Sequence, residues 1–345
     1  MEHELQPGRL LDENGNLKEA GFAYQLVKKY NRAAIKANKL RIKEWDYYYI
    51  GTDECGICLT VADNSYMSLV SVSVLDFTIP TETTKSIMGF MSNGKLNLPS
   101  TSKEGDVIYE TKKCSFRFTH EETGKRRLNV HFPNFKNGKE FRCDVYLEET
   151  NKDTMVIATP FKKKKHFYYN QKINLLKAAG YAKVGDTLYD LNKGYGVLDW
   201  GRGVWTYKNT WYWSSLNTTY KGKRIGWNLG YGFGDTSAAS ENMFFYNDRA
   251  YKLEQVRFEI PLTDSGKDDF MSEWKFRSED QKIKVTFKPI IDRYSGTNAL
   301  LVKSIQHQVF GKFSPRSMLI TCQVSQDVCY IRITESGIGT YLLTI

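Results

Sequence analysis

Tyr47-Tyr48-Tyr49-Ile50, then Cys55-Gly56-Ile57-Cys58, then Leu59-Thr60-Val61 is the stretch whose reading decides the fold class of this 345-residue chain. A Cys-x-x-Cys that follows a strand and opens a helix is a redox pair, because the helix N-terminus lowers the thiol pKa. Here the residues on both sides are aromatic or β-branched and read as strand. The pair therefore predicts buried, reduced cysteines inside a sheet. No second Cys-x-x-Cys and no close Cys/His pair completes a four-ligand set, so neither a metal nor a cofactor is expected.

Outward from this stretch the same character continues. Strand composition recurs over 66–78, 86–91, 106–111, 114–120, 126–132, 140–148 and 154–159, punctuated by turns such as Asp63-Asn64-Ser65, Ser92-Asn93-Gly94 and Lys136-Asn137-Gly138-Lys139. Short strands separated by tight turns specify an antiparallel sandwich or barrel rather than alternating strand and helix. Strand patterns resume at Gly196 and recur to 334. The fold class read from this spacing is all-β, with an N-terminal loop and helical segment over 1–42, a first β module over 43–165, a connection over 166–195 and a second β module over 196–345. The helical segment rests on Phe22, Leu26, Val27, Tyr30, Ala33 and Ala34 at helical spacing, with Lys28, Lys29, Arg32, Lys36 and Lys39 on the other faces.

Composition bounds the function. The length suits about two domains. Aromatics make up 14% of the chain, with 22 Tyr and 19 Phe, which again favours sheet. The formal charge of +10 has its densest cluster at Lys162-Lys163-Lys164-Lys165. Such a run is the kind that meets phosphates or a membrane surface, but an isolated one reads as solvated loop, and no nucleic-acid-binding module accompanies it. The opening residues Met1 to Gly8 are polar, and no apolar run approaches the roughly 18 residues that span a bilayer. Cytoplasmic placement with free thiols is the expectation.

Four of the seven tryptophans lie between Trp200 and Trp213, in Asp199-Trp200-Gly201-Arg202-Gly203-Val204-Trp205-Thr206-Tyr207 and Trp211-Tyr212-Trp213. A buried indole needs a partner for its N–H, so tryptophan is poor generic core filler and useful where a flat face meets a ligand. The blander reading is a barrel rim stapled by an Asp–Arg pair. An apolar concavity with a few convergent polar groups is the functional one.

These strings, with Asn228-Leu229-Gly230-Tyr231-Gly232-Phe233-Gly234-Asp235, Ser240-Glu241-Asn242-Met243 and Gln306-His307-Gln308-Val309-Phe310-Gly311-Lys312-Phe313, resemble a bacterial family labelled a domain of unknown function. That family is lipocalin-like, in the calycin group, and is similar more distantly to AttH and hydroxyneurosporene synthase (carotenoid 1,2-hydratase) proteins. The resemblance implies two lipocalin-like β-barrels side by side with an apolar or amphipathic small molecule in a cavity. In the hydratase group an acid in a Trp/Asp/His-rich segment protonates an alkene. The corresponding segment here carries Asp199 and no nearby histidine. After Ser314 the chain departs from the family pattern, reading Pro315-Arg316-Ser317-Met318 and closing on Tyr341-Leu342-Leu343-Thr344-Ile345.

Protonating an alkene needs a carboxyl kept neutral by burial and a way to steady a cation. Asp199 and Glu241 are the candidate acids, with Glu241 favoured if Arg202 pairs with Asp199, and His307 is a third titratable candidate in an apolar strand. Trp200, Arg202, Trp205, Tyr207, Trp211, Trp213 and Asn242 are the candidate ligand contacts, the rings offering π faces to a cation. Two rival readings stay open: a glycoside-acting enzyme using paired carboxylates such as Asp199 with Glu241, and a carrier that binds without chemistry. Residues 196–246 with His307 are expected to line one cavity where the modules meet. Gly230-Tyr231-Gly232-Phe233-Gly234 reads as a bend in sheet rather than a phosphate cradle, and Asp292-Arg293 as a turn with a local ion pair.

Overall fold

The computed structural model describes residues 2–206, 209–280, 282–299, 302–314, 318–320, 331–333 and 341–344. Among the described residues there is no α-helix, and two antiparallel sheets account for most of the chain. The first has thirteen strands. Its spatial order runs Thr81–Phe90, Met67–Asp76, Cys55–Asp63, Ile42–Gly51, Tyr195–Val204, Phe167–Val184, Lys139–Glu148, Arg126–Lys136, Ser115–His120, Val107–Glu110, with Met155–Pro160, Gly21–Ala23 and Thr187–Asp190 attached off that path. The second has nine, in the order Arg249–Lys252, Met243–Tyr246, Lys223–Tyr231, Tyr212–Tyr220, Tyr341–Thr344, Val302–Ser314, Lys284–Ala299, Trp274–Ser278, Val256–Glu259.

Each sheet curls round its own core. In the first, Tyr48 of the central 42–51 strand meets Phe118 of the far 115–120 strand edge-on at 5.1 Å, and Lys85 of the 81–90 edge strand reaches across to Phe132. In the second, Phe258 of one edge strand packs on Tyr231 and Tyr212. Side chains alternate across a strand, so Tyr48 and Ile50 enter the first core while Tyr47 and Tyr49 point the other way. Those outer-face rings do not meet water. They pack against Trp213, Ile291 and Phe310 of the second sheet, which is why the 42–51 and 55–63 strands are buried on both faces.

The sheets are locked together at a bulge. Register along the 167–184 strand breaks between Ile173 and Leu176, and Leu175 takes a φ of +58°, a conformation unusual for an apolar residue. Its N–H is met at 2.7 Å by Asn217 Oδ1 of the second sheet. Asn174 Nδ2 donates to Ser215 Oγ and to the Trp227 carbonyl, also of the second sheet.

Four expectations are revised here. Residues 166–195, read as connection, contain the 18-residue strand 167–184, and Tyr195–Val204, read as opening the second module, is a central strand of the first sheet. Helical character over 20–41 is confined to two single 3₁₀ turns, Arg32–Ala34 and Lys39–Arg41, and Tyr30 and Ile35, the latter on extended backbone, flank the first turn and enter the first core. Asp292-Arg293 lies within the 284–299 strand, not at a turn. Cys55 and Cys58 are free and buried in strand, with burial pushing the Cys55 thiol up to about 11. Lys162, Lys163 and Lys164 are exposed in a loop, and Gly232 and Gly234, both at positive φ, form a bend that no helix follows. No described helix is long and apolar enough to cross a membrane.

Candidate functional site

A cavity of about 300 Å³ lies between the two sheets. Its floor follows from strand register. Lys172, Asp199, Tyr47, Thr60, Ser71 and Ser86 are successive cross-strand partners on six adjacent strands of the first sheet, and all six line the cavity. The neighbouring row adds Trp45, Ala62 and Leu69. Trp45 fits because its row partner is Gly201, where any Cβ would run into the indole. The roof is Trp211, Trp213, Phe233 and Glu241 at one end and Arg293, Gln306 and Gln308 at the other.

Aromatic rings wall the first end. Trp45 stacks on Tyr168 at 6.0 Å, and Phe233 receives Tyr168, Trp205 and Trp211 edge-on at 4.7 to 5.3 Å. Edge-to-face packing of this kind fixes ring orientation as well as burying area. The far end is polar: Ser71 and Ser86 hydroxyls bond at 2.8 Å, Gln308 donates to the Tyr47 hydroxyl, and Arg293 donates to Ser73 Oγ and Gln308 Oε1.

The charged groups differ sharply in environment. Lys172 Nζ pairs with Asp199 Oδ1 at 2.7 Å and sits 4.4 Å from the Trp213 ring centre, while Asn170 Nδ2 donates to the same Asp199 oxygen. Among the described residues Glu241 has no such counter-ion within bonding distance. Its carboxylate side is held by Asn228, whose Nδ2 donates to Glu241 Oε2 at 3.1 Å and whose Oδ1 accepts from Trp213 Nε1. Burial is the largest influence on Glu241 and raises its pKa, against smaller lowering by Lys172 and Asn228. Gly230 makes room for it, since a Cβ there would stand 2.6 Å from the carboxyl.

Of the residues singled out from sequence, Asp199, Glu241, Trp205, Trp211 and Trp213 come together on the cavity. Trp200 and Arg202 do not, because the strand alternation that turns Asp199 inward turns them to the opposite face. Arg202 is fully buried there, bonding Asp46 at 2.9 Å and the carbonyls of Trp45 and Pro99, with Trp200 beneath its guanidinium. The arginine staple exists, but on Asp46 rather than Asp199. His307 likewise faces away between Gln306 and Gln308, stacked on Phe270 at 4.0 Å and bonded to Asp292. Asn242 spends its amide on Gly230 N and the Glu254 carbonyl. Tyr207 lies outside the described residues. Among the described residues no three His, Cys, Asp or Glu side chains are placed to hold a metal ion.

Sequence reading missed Lys172, Asn170 and Tyr168, assigned to a connection, and Arg293, assigned to a turn. The available signal was polarity without turn residues: Asn170-Gln171-Lys172 interrupts an apolar run that contains neither Gly nor Pro from Phe167 to Leu176.

A sequence model of the family described as Domain of unknown function (DUF2804) matches residues 2–320. No curated protein matches the chain. Among solved structures, a Nitrosomonas europaea protein given the name AttH superposes with a TM-score of 0.55 at 11% identity, covering 92% of this chain and 96% of that one. Kievitone hydratase from Nectria haematococca superposes with a TM-score of 0.53 at 15% identity, covering 88% and 87%. At these identities the likeness is one of fold, and the shared fold is the all-β, lipocalin-like pair of modules.

Proposed function

The chain belongs to the DUF2804 family, and from that premise we propose that it binds an apolar or amphipathic small molecule, lipid-like or isoprenoid-like, in the cavity between its sheets and acts on it as a hydratase or isomerase. The observation that carries this reading is Glu241, a buried carboxyl whose pKa is raised by desolvation, set in a wall of indoles.

In the proposed reaction a carbon–carbon double bond lies against Glu241. The acid proton moves to one alkene carbon, leaving a carbocation on the other and a carboxylate on Glu241. Trp205 and Trp211 offer ring faces to that cation. Trp213 is less suited, because the Lys172 ammonium already occupies its ring. Water then adds to the cation and returns a proton to the Glu241 carboxylate, giving hydration, or a neighbouring carbon gives up its own proton to that carboxylate, giving isomerisation. Asp199, tied to Lys172 and Asn170, supplies a fixed negative charge nearby.

The glycoside reading needs two carboxylates free to act on one bond, and Asp199 is engaged by two donors. Binding without chemistry uses the same cavity and differs only in Glu241's role. Native mass spectrometry of protein purified from its own source separates these. A co-purified lipid or isoprenoid supports the proposal, and a saccharide overturns it. Incubation of that ligand in deuterium oxide then tests the chemistry, with deuterium entering carbon for wild type and not for Glu241→Gln; no exchange in either leaves a carrier.

A further inference from the structure

The polar end of the cavity has a feature that proton transfer does not use. We propose that Arg293 is the recognition point for an acidic oxygen group on the ligand, a carboxylate, so that the small molecule is amphipathic with its anionic head at Arg293 and its apolar body among the indoles. This rests on the cavity being a ligand site, as argued above.

Arg293 lines the cavity from the 284–299 strand. A guanidinium has five N–H donors, and this one donates to two neutral acceptors, Ser73 Oγ at 2.8 Å and Gln308 Oε1, while its Nε is buried without an acceptor. Among the described residues no carboxylate pairs with it. Its sequence neighbour Asp292 is turned to the opposite face and taken by His307. The other cation of the cavity, Lys172, is already matched by Asp199.

The charge balance points the same way. The Lys172–Asp199 pair is neutral in sum, burial disfavours the charged form of Glu241, and among the described residues Arg293 is the cation of the cavity wall without a paired carboxylate. A partly buried cation without a counter-ion is costly, and an incoming carboxylate relieves that cost while matching the planar fork of the guanidinium. The two bonds Arg293 already makes hold the fork in place. Around it, Ser71, Ser86 and Thr84 supply hydroxyls rather than competing acids. The opposite end offers an anion aromatic rings, the two carboxyls and a Lys172 already paired with Asp199, which orients a ligand with one acidic group towards Arg293.

The test is isothermal titration calorimetry with a naphthalene carboxylate and the matching naphthalene carboxamide, run on wild type, Arg293→Gln and Glu241→Gln. A charged hydrogen-bonded partner predicts a preference for the carboxylate of about tenfold or more in wild type. Arg293→Gln removes the preference with carboxamide affinity unchanged, and Glu241→Gln keeps it. Equal affinity of the two probes for wild type, or an undiminished preference in Arg293→Gln, overturns the assignment while leaving the cavity a ligand site. Binding of neither probe overturns both. If circular dichroism shows that Arg293→Gln does not fold, Arg293→Lys decides instead, since it keeps the charge but not the fork: a preference cut severalfold supports the proposal, and an unchanged one overturns it.

Discussion

Lys172 Nζ stands 2.7 Å from Asp199 Oδ1, with side chains only 3% and 13% exposed, so the pair is buried and each charge depends on the other. Removing one partner of such a pair leaves an uncompensated charge, which costs more than the pair contributes. Lys172→Met should therefore destabilise the protein by about 3 kcal/mol, and adding Asp199→Leu should restore much of the loss. Urea unfolding of the two single variants and the double variant checks this. Simple additivity of the single effects would show that the two charges are not coupled.

Glu241 gives stability the opposite pH dependence from an ordinary salt-bridged carboxylate. Its folded pKa is raised from 4.5 by burial, so the folded state holds the proton to higher pH than the unfolded chain does. The linked stability is fully present below the unfolded value and is lost as pH rises from there through the folded pKa. The difference in unfolding free energy between wild type and Glu241→Gln should thus move against wild type on going from pH 4 towards neutral. A difference that stays flat over that range contradicts a raised pKa.

What could be read in advance divides along physical lines. The strands over 43–159 announced themselves because their faces are filled by β-branched and aromatic residues and their turns by Asn and Gly. The 167–184 strand stayed hidden because its cavity face carries Lys172 and its neighbouring positions Asn170, Gln171 and Asn174, which are polar residues buried against partners far away in sequence. Local pattern fails where a site breaks the local rule. The tryptophan-rich ribbon was visible, but which of its members face the cavity depends on a period of two that starts at Asp199, so Trp200 and Arg202 were grouped with residues on the other side of the sheet. Arg293 was invisible for a different reason: its strand partner is Gln308, and its approach to Ser73 of the first sheet exists only after the two sheets pack.

Asn217 joins the two sheets through two buried bonds to its Oδ1, accepting from Asn174 Nδ2 at 3.0 Å and from Leu175 N at 2.7 Å where the bulge forces a positive φ. Asn217→Ala leaves that N–H without its acceptor, a loss of about 1 to 3 kcal/mol. The strain at Leu175 should then relax and loosen the bulge. Faster amide hydrogen exchange at 174–176 together with a lowered midpoint of unfolding is the expected result. Unchanged exchange there would mean that the bulge is held by other contacts.

Gly201 tests whether the floor of the cavity is set by packing. A Cβ at this position meets the Trp45 indole, and that ring is itself braced by Tyr168 and Trp205, so it cannot swing aside without disturbing the aromatic wall. Gly201→Ala should cost about 1 to 3 kcal/mol by overpacking, alter near-ultraviolet dichroism and weaken binding of the naphthalene carboxamide. A variant with wild-type stability and binding would show that Trp45 is free to move.

Trp213 and Arg202 separate ligand contact from scaffold. Both are buried, but Trp213 lines the cavity with its N–H held by Asn228, whereas Arg202 satisfies Asp46 and three carbonyls on the far face. Trp213→Phe keeps a ring in the wall and gives up the Asn228 bond that steadies Glu241, so deuterium incorporation into the ligand should fall more than binding does. Arg202→Met strands Asp46 in a buried position and should destabilise by about 3 to 5 kcal/mol, with the affinity of the remaining folded protein for the naphthalene probes unchanged. If Arg202→Met instead lowered affinity at undiminished stability, the arginine would belong to the site, and the division of this strand into a cavity face and a core face would be wrong.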